Sequence, residues 1–256
     1  FIVKDTPEQA GLPSIAEIEG DSPRATGMPE VRLSIRQRFS QVVRTRQIWP
    51  LFLVSLGTYG AYATFFLNWL VVYLMQTYGL TRDAASNFAL VSAVGAILGT
   101  SALGFISDYF RSRKGPIVVA TTISLICYLT MVLWNGGKAP LEAFWPISFI
   151  VGFNVGAMPI TYATVRDTVS QEVRGMGSGL VNMGGFAGAA VMQPLFGIIL
   201  DRNWDGSTLG DIRHYPVEAF RQAMYLPCVL IALGFLGALL MKRKKRFTVV
   251  SGPDDD

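Results

Sequence analysis

Six long runs along the chain consist of apolar and small polar residues and contain no charged residue. They are residues 48–81, 87–107, 115–137, 143–165, 175–200 and 222–241. Each is about 20 residues or longer, the length that a helix needs to cross about 30 Å of membrane hydrocarbon. The pattern predicts an all-α membrane protein with six transmembrane helices, called spans 1 to 6 in chain order. The composition agrees, because only 16% of the residues are charged, against about a quarter in an average soluble domain.

Lysine and arginine are divided unevenly between the two sides of the membrane. When the spans alternate from an amino-terminal segment in the cytoplasm, the outer side receives only Arg82, Lys138, Arg202, Arg213 and Arg221 of the 22 lysines and arginines. The positive-inside rule therefore predicts a multi-pass protein of the cell (inner) membrane with both ends of this chain in the cytoplasm. The net charge of +4 reflects this topology. No soluble domain carries these positive charges, which argues against a nucleic-acid partner.

The chain divides into four parts: a proline- and glycine-rich cytoplasmic linker (residues 1–30), an amphipathic helix (31–47), the six-helix domain (48–241) and a basic then acidic cytoplasmic tail (242–256). In the second part, one helical face carries the apolar residues Val31, Ile35, Phe39 and Val42. This face favours a basic helix that lies on the inner leaflet, and a solvated linker helix is the alternative. The chain starts at Phe1 rather than at a methionine, so we expect a preceding segment of the protein.

Spans 1 to 3 resemble spans 4 to 6. Trp49-Pro50 opens span 1 and Trp145-Pro146 opens span 4, and a Gly-Ala pair follows both at the same distance. Spans 2 and 5 both end in Gly-x-x-x-Asp, with Asp108 in one and Asp201 in the other. Because three spans are an odd number, the second copy must enter the membrane from the opposite side. The predicted fold is therefore two inverted three-helix repeats, which is typical of secondary transporters.

The segment GFISDYFRSRKGP, residues 104–116, joins spans 2 and 3 and concentrates charge in a chain that has little elsewhere. It resembles the signature Gly-x-x-x-Asp-Arg-x-Gly-Arg-Arg/Lys of the major facilitator superfamily, with Tyr109 and Arg111 where the family usually has Arg and Gly. Arg174-Gly175 at the start of span 5 is also similar to the family. The resemblance covers residues 49–241 and implies the carboxy-terminal half of a twelve-helix carrier. The partner of this half is then a six-helix amino-terminal half.

The resemblance implies a secondary active transporter that moves a small polar or amphipathic solute by alternating access, with no reaction catalysed and no cofactor. A membrane scaffold or sensor that kept the fold without transport is the alternative from another class. A passive channel is disfavoured, because no span carries a continuous polar stripe. The residues also offer no metal or catalytic site, since Cys127 and Cys228 lie inside spans and His214 is the one histidine of the sequence.

The charged segment after span 2 is interpreted as a conformational latch on the cytoplasmic side. We expect Gly104 to let helices approach closely and Asp108 to face the positive amino-terminal end of span 5 near Gly175. By the resemblance, such contacts hold the cytoplasmic side closed, and the alternative is that the cations only enforce topology. We expect Arg111, Arg113 and Lys114 to pair with Asp167 or Glu172 of the next cytoplasmic loop, and Arg174 completes the set.

Polar residues inside the spans are the candidates for binding a substrate. An asparagine in hydrocarbon is costly without a partner or water. We therefore expect Asn68 of span 1 and Asn154 of span 4 to face the central cavity, which the family lines with the first helix of each triplet. Hydrogen bonding between helices is the alternative. The full candidate set is Tyr62, Thr64, Asn68, Trp69, Asn154, Thr161, Tyr162, Asn182 and Gln193.

No Asp, Glu, Lys, Arg or His lies in the middle of any span. Proton- or anion-coupled carriers usually need an intramembrane charge, so the group for a coupling ion such as a proton would have to come from the amino-terminal half. The linker segment DTPEQAGLPSI resembles that of organophosphate antiporters and related anion carriers. By the match of FLNWLVVYL to their corresponding stretch, Ala63 stands where those proteins carry a cavity arginine. This position argues against a doubly charged phosphate held by this half.

Overall fold

The computed structural model describes residues 11, 13, 34–210 and 212–242. Most of the linker 1–30, the first residues of the amphipathic segment and the tail beyond residue 242 lie outside these residues. Among the described residues, those from Gln37 onward belong to one compact unit. The described α-helices are Ile35–Arg44, Ile48–Thr64, Leu70–Tyr78, Arg82–Tyr109, Lys114–Leu133, Phe144–Val155, Met158–Thr168, Arg174–Arg202 and Val217–Leu240.

Among the described residues, six helical segments are long and apolar enough to cross a membrane, which confirms the six spans and the all-α fold class. They run Ile48–Tyr78, Arg82–Tyr109, Lys114–Gly137, Leu141–Thr168, Gln171–Arg202 and Val217–Leu240. The shorter elements that complete them are a π-helical turn at Phe65–Trp69 and 3₁₀ turns at Trp134–Gly137, Leu141–Ala143 and Gln171–Val173. Between spans 5 and 6, the strands Thr208–Leu209 and Ile212–Arg213 pair into a small antiparallel hairpin.

Local sequence sets where the first two spans stop and start. Gly79 ends span 1 in the left-handed conformation, with φ of 68°, which glycine adopts without the steric cost of a Cβ. Thr81 then caps span 2, because its hydroxyl oxygen accepts a hydrogen bond from the backbone N–H of Ala84. Asp83 in the first turn places a negative charge at the positive end of the helix dipole. Spans 1 and 2 are therefore joined by a tight turn and run antiparallel.

Glycines bring the backbones of neighbouring spans into direct contact. A Cβ added at Gly152 of span 4 would overlap the carbonyl oxygen of Ser92 in span 2. A Cβ added at Gly60 of span 1 would lie 3.1 Å from the Cα of Gly188 in span 5. Lipid tails are as apolar as leucine, so transmembrane helices associate through close packing of this kind rather than through the hydrophobic effect.

The glycine contacts follow the inverted repeat. Gly60 and Gly156 hold equivalent positions in spans 1 and 4 when the Trp-Pro pairs are aligned. Gly60 meets Gly188 of span 5, and Gly156 meets Gly99 of span 2. The first helix of each triplet therefore packs against the second helix of the other triplet, as expected for two interlocked repeats.

Buried side chains of the described residues form two clusters, one toward each end of the spans. The cluster at the predicted outer face is rich in large aromatic residues, among them Phe65, Tyr73, Phe144, Phe196 and Phe220. The cluster at the predicted cytoplasmic face is mainly aliphatic and includes Val42, Ile48, Leu51, Val165 and Val181. The hydroxyl of Tyr73 donates to the carbonyl of Gly137 at 2.7 Å, so its polar end is satisfied within the aromatic cluster.

A helix runs from Ile35 to Arg44 inside the segment that the sequence predicts to be an amphipathic helix. Phe39 is exposed, whereas Val42 is completely buried and belongs to the aliphatic cluster. The indole nitrogen of Trp49, at the start of span 1, donates to the carbonyl of Val43 at 3.0 Å. The carboxyl end of this helix therefore packs on the six spans and leaves Phe39 available to lipid. Its position on the inner leaflet stays a prediction.

Candidate functional site

Span 1 departs from α-helical geometry near its centre. Residues Phe65–Trp69 form a π-helical turn, just after Ala63, which lies midway between Ile48 and Tyr78. A π turn inserts one extra residue and disturbs the regular backbone hydrogen bonds, and such turns are frequent at functional sites. The hydrocarbon core supplies no water, so other groups of the protein must satisfy the disturbed backbone.

Two side-chain amides converge on the carbonyl oxygen of Ala63. The Nδ2 of Asn68 donates to it at 2.6 Å, and the Nε2 of Gln193 in span 5 donates at 3.4 Å. Asn68 is exposed and Gln193 is half-buried, so the cluster lies on an open face of the unit. Within the described part of the chain, no hydrogen bond occupies the amide oxygen of either side chain. Both oxygens can therefore accept from the hydroxyl groups of a solute.

A second polar pair lies on the same face of span 5. The hydroxyl of Tyr162 in span 4 donates to the Oδ1 of Asn182 at 2.7 Å. Asn182 and Gln193 are three helical turns apart, which places them within about 20° of each other and about 16 Å apart along the axis. Between them, the rings of Tyr59 and Phe186 pack with their centroids 5.1 Å apart. We call this face the polar wall, formed by Tyr59, Ala63, Asn68, Tyr162, Asn182, Phe186 and Gln193.

Two other predicted cavity residues form hydrogen bonds between spans instead. Asn154 is buried, and its Nδ2 donates to the Oγ of Ser124 in span 3 at 3.1 Å. Tyr62 is also buried, and its hydroxyl lies 3.2 Å from the Oγ of Ser92 in span 2. In this structure both residues follow the alternative that the sequence left open, hydrogen bonding between helices.

Thr64, Thr161 and Trp69 are placed in the packed interior or at its edge. Both threonines are completely buried and donate to carbonyls one turn earlier in their own helices. Trp69 is half-buried and stacks on Phe196, with the ring centroids 5.2 Å apart. Of the nine predicted residues, the structure thus brings Asn68, Tyr162, Asn182 and Gln193 onto one open face.

Three components of the polar wall were not among the substrate-binding residues predicted from the sequence: the Ala63 carbonyl, Tyr59 and Phe186. Tyr59 is one of several aromatic residues in span 1, and Phe186 lies in a glycine-rich run, so neither stands out by residue type. The one signal for the carbonyl is that Asn68 follows Ala63 by five residues, which is the spacing of a π-helical hydrogen bond.

Arg113 ties the ends of spans 2 and 4 together at the predicted cytoplasmic face. Its Nη1 lies 2.9 Å from the Oδ1 of Asp108 and donates to the Oγ of Ser107 at 3.2 Å. Its Nε lies 3.4 Å from the Oδ2 of Asp167. Only 19% of the Arg113 side chain is exposed, so these ion pairs are screened less by water and salt than a fully exposed pair.

Lys114 binds backbone rather than a carboxylate. Its Nζ donates to the carbonyls of Leu239 and Met241 at 2.5 and 2.7 Å. These carbonyls close span 6, where the helix dipole favours a cation. The sequence predicted a carboxylate partner for this lysine, and the structure shows the carboxyl end of a helix in that role.

The remaining predicted latch residues make fewer contacts. A Cβ at Gly104 would meet no described atom within 4 Å, so the close approach expected there is not seen in the described residues. Span 2 makes its close approaches at Gly95 and Gly99 instead. Three further members are exposed, and the described structure gives them no ion pair: Arg111, Glu172 and Arg174.

Asp201, the counterpart of Asp108 in the second repeat, also holds an arginine. Its Oδ1 accepts hydrogen bonds from Arg213 at 2.6 Å and from the hydroxyl of Tyr215 at 2.7 Å. Burial and the hydrogen bond to Asp201 raise the pKa of Tyr215, so this hydroxyl stays a donor at neutral pH. Gln76 of span 1 fixes the same loop by bonding the Arg213 carbonyl and the Tyr215 N–H at 3.0 and 2.9 Å. Equivalent ends of the two repeats therefore carry acid–arginine pairs on opposite membrane faces.

The sequence model described as Major Facilitator Superfamily matches residues 9–193 and 103–255. This chain belongs to the major facilitator superfamily. It is 27% identical over 216 residues to the glycerol-3-phosphate transporter of Bacillus subtilis (strain 168), covering 80% of this chain and 47% of that protein. It is 31% identical over 174 residues to the probable galactarate/D-glucarate transporter GudP of Escherichia coli (strain K12), covering 65% of this chain and 38% of that protein.

The hexuronate transporter of Bacillus subtilis (strain 168) is 26% identical over 149 residues, covering 54% of this chain and 34% of that protein. The chain thus spans about half the length of these curated relatives or less. Among solved structures, a bacterial homologue of the human lysosomal transporter Spinster, in an inward-facing and unoccupied conformation, superposes with a TM-score of 0.54. That match covers 86% of this chain and 53% of the other at 18% identity, and it shows the shared fold.

Under the latch interpretation, Arg113→Gln is expected to shift the full-length protein toward a state that is open at the predicted cytoplasmic face. The substitution removes two ion pairs that are worth about 1 kcal/mol each at most near a surface. A loss of about 1.4 kcal/mol changes a two-state ratio about tenfold. The measurement is the labelling rate of Leu67→Cys, beside Asn68, by a membrane-impermeant thiol reagent added to the cytoplasmic side.

The matched control for this prediction is Arg166→Gln, an exposed cation at the same end of span 4. It should leave the labelling rate unchanged. If Arg113→Gln also leaves labelling unchanged while transport is normal, the arginine acts only in topology or folding, and the latch interpretation is lost.

Proposed function

We propose that this chain works as the carboxy-terminal half of a secondary transporter that moves a small, hydroxylated organic anion by alternating access. It acts together with a six-helix amino-terminal half that faces the polar wall. Relatives named for glycerol 3-phosphate, galactarate/D-glucarate and hexuronate transport support this substrate class. All of these solutes combine two or more hydroxyl groups with at least one negative charge.

The observation that carries the proposal is the amide cluster at the Ala63 carbonyl, midway along span 1. Its two amides, Asn68 and Gln193, meet at this carbonyl on an open face of the bundle. Uncharged amides both donate and accept hydrogen bonds, which suits the hydroxyl groups of a polyol better than a phosphate or carboxylate. Irregular backbone at membrane depth is tolerated where it is buried in protein or lines a cavity, as transporter binding sites do.

The charge of the substrate is met by the other half in this proposal. The charged residues of the described spans lie toward the span ends, so the polar wall offers no cation at mid-membrane. A buried anion needs an opposite charge or several donors. An arginine, lysine or proton-binding carboxylate of the amino-terminal half would then supply the charge and the coupling to a proton. Substrate binding then depends on both halves, because this half contacts the hydroxyl groups and the other half contacts the charge.

The arginines and lysines support an orientation with both ends of this chain in the cytoplasm and residence in the inner membrane. The Arg113 network then lies at the cytoplasmic face, and the Asp201–Arg213 pair lies outside. Each pair can stabilise the arrangement of spans at its own face. We propose that the carrier alternates by loosening one face while the other remains closed.

Uptake into vesicles that contain the full-length carrier tests this function. The probes are radiolabelled glycerol 3-phosphate, D-glucarate and D-glucuronate, with neutral D-glucose as the control of similar size. Saturable uptake of at least one anion, competed by the other hydroxylated anions but not by glucose, is the expected result. Saturable uptake of glucose alone would overturn the substrate class. Failure of every probe and of counterflow would favour a scaffold that retains the fold.

A further inference from the structure

A cavity lies between spans 2, 3 and 4 near the predicted cytoplasmic face, and its lining shares no residue with the polar wall. It is a groove of about 700 Å³. Its walls are apolar side chains of all three spans, including Leu103, Ile106, Val119, Ile123, Phe149 and Phe153. Val119 is 57% exposed, so the groove opens at the surface of the described unit.

The depth of the groove matches one leaflet of the membrane. It extends from Gly115, at the start of span 3, to Ile123, which is about 12 Å along the helix axis. The hydrocarbon of a whole bilayer is about 30 Å thick, so one leaflet contributes about 15 Å. The one amide in its lining belongs to Asn154, whose Nδ2 is already bound to Ser124. The groove therefore suits an acyl chain better than the polar solute proposed above.

A cationic segment borders the mouth of the groove. Phe110, Ser112 and Gly115 line the groove, and the residues between Phe110 and Gly115 include the cations Arg111, Arg113 and Lys114. Arg113 is committed to two carboxylates and Lys114 to two backbone carbonyls.

Arg111 differs from the two other cations of the segment, Arg113 and Lys114. It is exposed, and the described residues give its guanidinium no ion-pair partner. Its backbone has a φ of 47°, a left-handed conformation that is uncommon for residues other than glycine and marks a local constraint. The turn that carries this cation is therefore held in a specific shape beside the apolar groove.

We propose that this groove binds an anionic phospholipid of the cytoplasmic leaflet, with an acyl chain between spans 2 and 3 and the phosphate at Arg111. The apolar walls match the chain, and the cation at the mouth matches the headgroup. Anionic lipids are enriched in the cytoplasmic leaflet, where each nearby lysine or arginine contributes about 1 kcal/mol of attraction, or about fivefold in affinity. This assignment does not depend on which solute the polar wall binds.

The test is photo-cross-linking in nanodiscs that contain the full-length carrier in phosphatidylcholine. A trace lipid carries a diazirine on its acyl chain and has either a phosphatidylglycerol or a phosphatidylcholine headgroup, and mass spectrometry maps the labelled peptides. We expect phosphatidylglycerol to label the groove segments about fivefold more than phosphatidylcholine. Arg111→Gln should remove this preference, and Val119→Trp should reduce groove labelling by both lipids.

Two matched variants control for general effects. Arg166→Gln removes another exposed cytoplasmic cation, and Val229→Trp adds a tryptophan at an exposed site of span 6. Neither should change groove labelling. Equal labelling by both headgroups, or equal effects of Val119→Trp and Val229→Trp, would overturn the proposal and leave only non-specific boundary lipid.

A measurement on the unsubstituted protein covers the case in which Val119→Trp fails to fold. Unlabelled phosphatidylglycerol added to the discs should compete for groove labelling, whereas the same amount of phosphatidylcholine should not. Equal competition by both lipids would contradict a site for an anionic headgroup.

Discussion

Gly152→Leu is expected to prevent stable packing of span 4 against span 2. A Cβ at this position would overlap the carbonyl oxygen of Ser92 and lie 2.8 Å from its carbonyl carbon. Overpacking usually costs about 1–3 kcal/mol, and more when no side chain can move aside. The obstacle here is backbone inside a helix, so the two spans must separate. We expect a loss of at least about 3 kcal/mol, at the upper end of that range.

The measurement is the unfolding temperature of the purified full-length carrier. It is read from the fraction that remains monodisperse after heating. Gly179→Leu in span 5 is the matched control, because a Cβ there meets no described atom within 4 Å. Both substitutions gain similar helix propensity, so their difference isolates the contact. Equal unfolding temperatures would show that spans 2 and 4 are not packed as closely as described.

Asn68→Leu is expected to lower kcat/KM for the anion that we propose as substrate by about tenfold or more while the fold is retained. The side chain is exposed, so its loss should cost little stability. A hydrogen bond is worth about 0.5–1.5 kcal/mol, and more with a charged partner. Loss of Asn68 also leaves Gln193 as the one described side-chain donor to the Ala63 carbonyl. We expect most of the decrease in kcat/KM to come from a higher KM, and we expect little change in the unfolding temperature.

Asn154→Leu provides the matched comparison for Asn68→Leu. It is the same substitution in the equivalent helix of the second repeat, but Asn154 is buried and bonded to Ser124. We expect a lower unfolding temperature and a nearly unchanged KM, because the Ser124 hydroxyl loses its donor inside the bundle. If the two variants exchange these effects, the assignment of the polar wall is wrong.

The hydrophobic pattern predicted the six spans because length and apolarity alone decide whether a segment can cross the membrane. Glycine spacing also indicated the inverted repeat, since equivalent close contacts need small residues at equivalent positions. Both signals are properties of residue type and position along the chain. They do not depend on details of helix geometry.

The orientation of polar side chains is harder to predict from the sequence than the positions of the spans. A regular periodicity groups Gly57, Thr64 and Asn68 on one stripe of span 1, yet the first two are buried and Asn68 is exposed. The π-helical turn at Phe65–Trp69 adds a residue, which rotates the following side chains by about 100°. No residue type marks such a turn, so the stripe could not be extended correctly past Thr64.

Hydrogen-bond partners that are backbone atoms cannot be predicted from the sequence for a similar reason. The carbonyl that binds Asn68 and Gln193 and the carbonyls that bind Lys114 become available only where a helix is distorted or ends. Charge alone suggested carboxylate partners for every cation of the segment. The structure provides Asp108 and Asp167 for Arg113 and gives Lys114 the carboxyl end of span 6.

Substrate protection of a cysteine beside the amide cluster tests alternating access at the polar wall most directly. Leu67 is adjacent to Asn68 and 55% exposed, and Leu67→Cys is placed in a background in which Cys127 and Cys228 are alanine. A membrane-impermeant maleimide is added to either side of oriented vesicles of the full-length carrier, with and without glycerol 3-phosphate, D-glucarate or D-glucuronate. The account predicts labelling from each side and protection from both sides by the transported anion. Labelling from one side only, with no protection by an anion that is demonstrably transported, would contradict it.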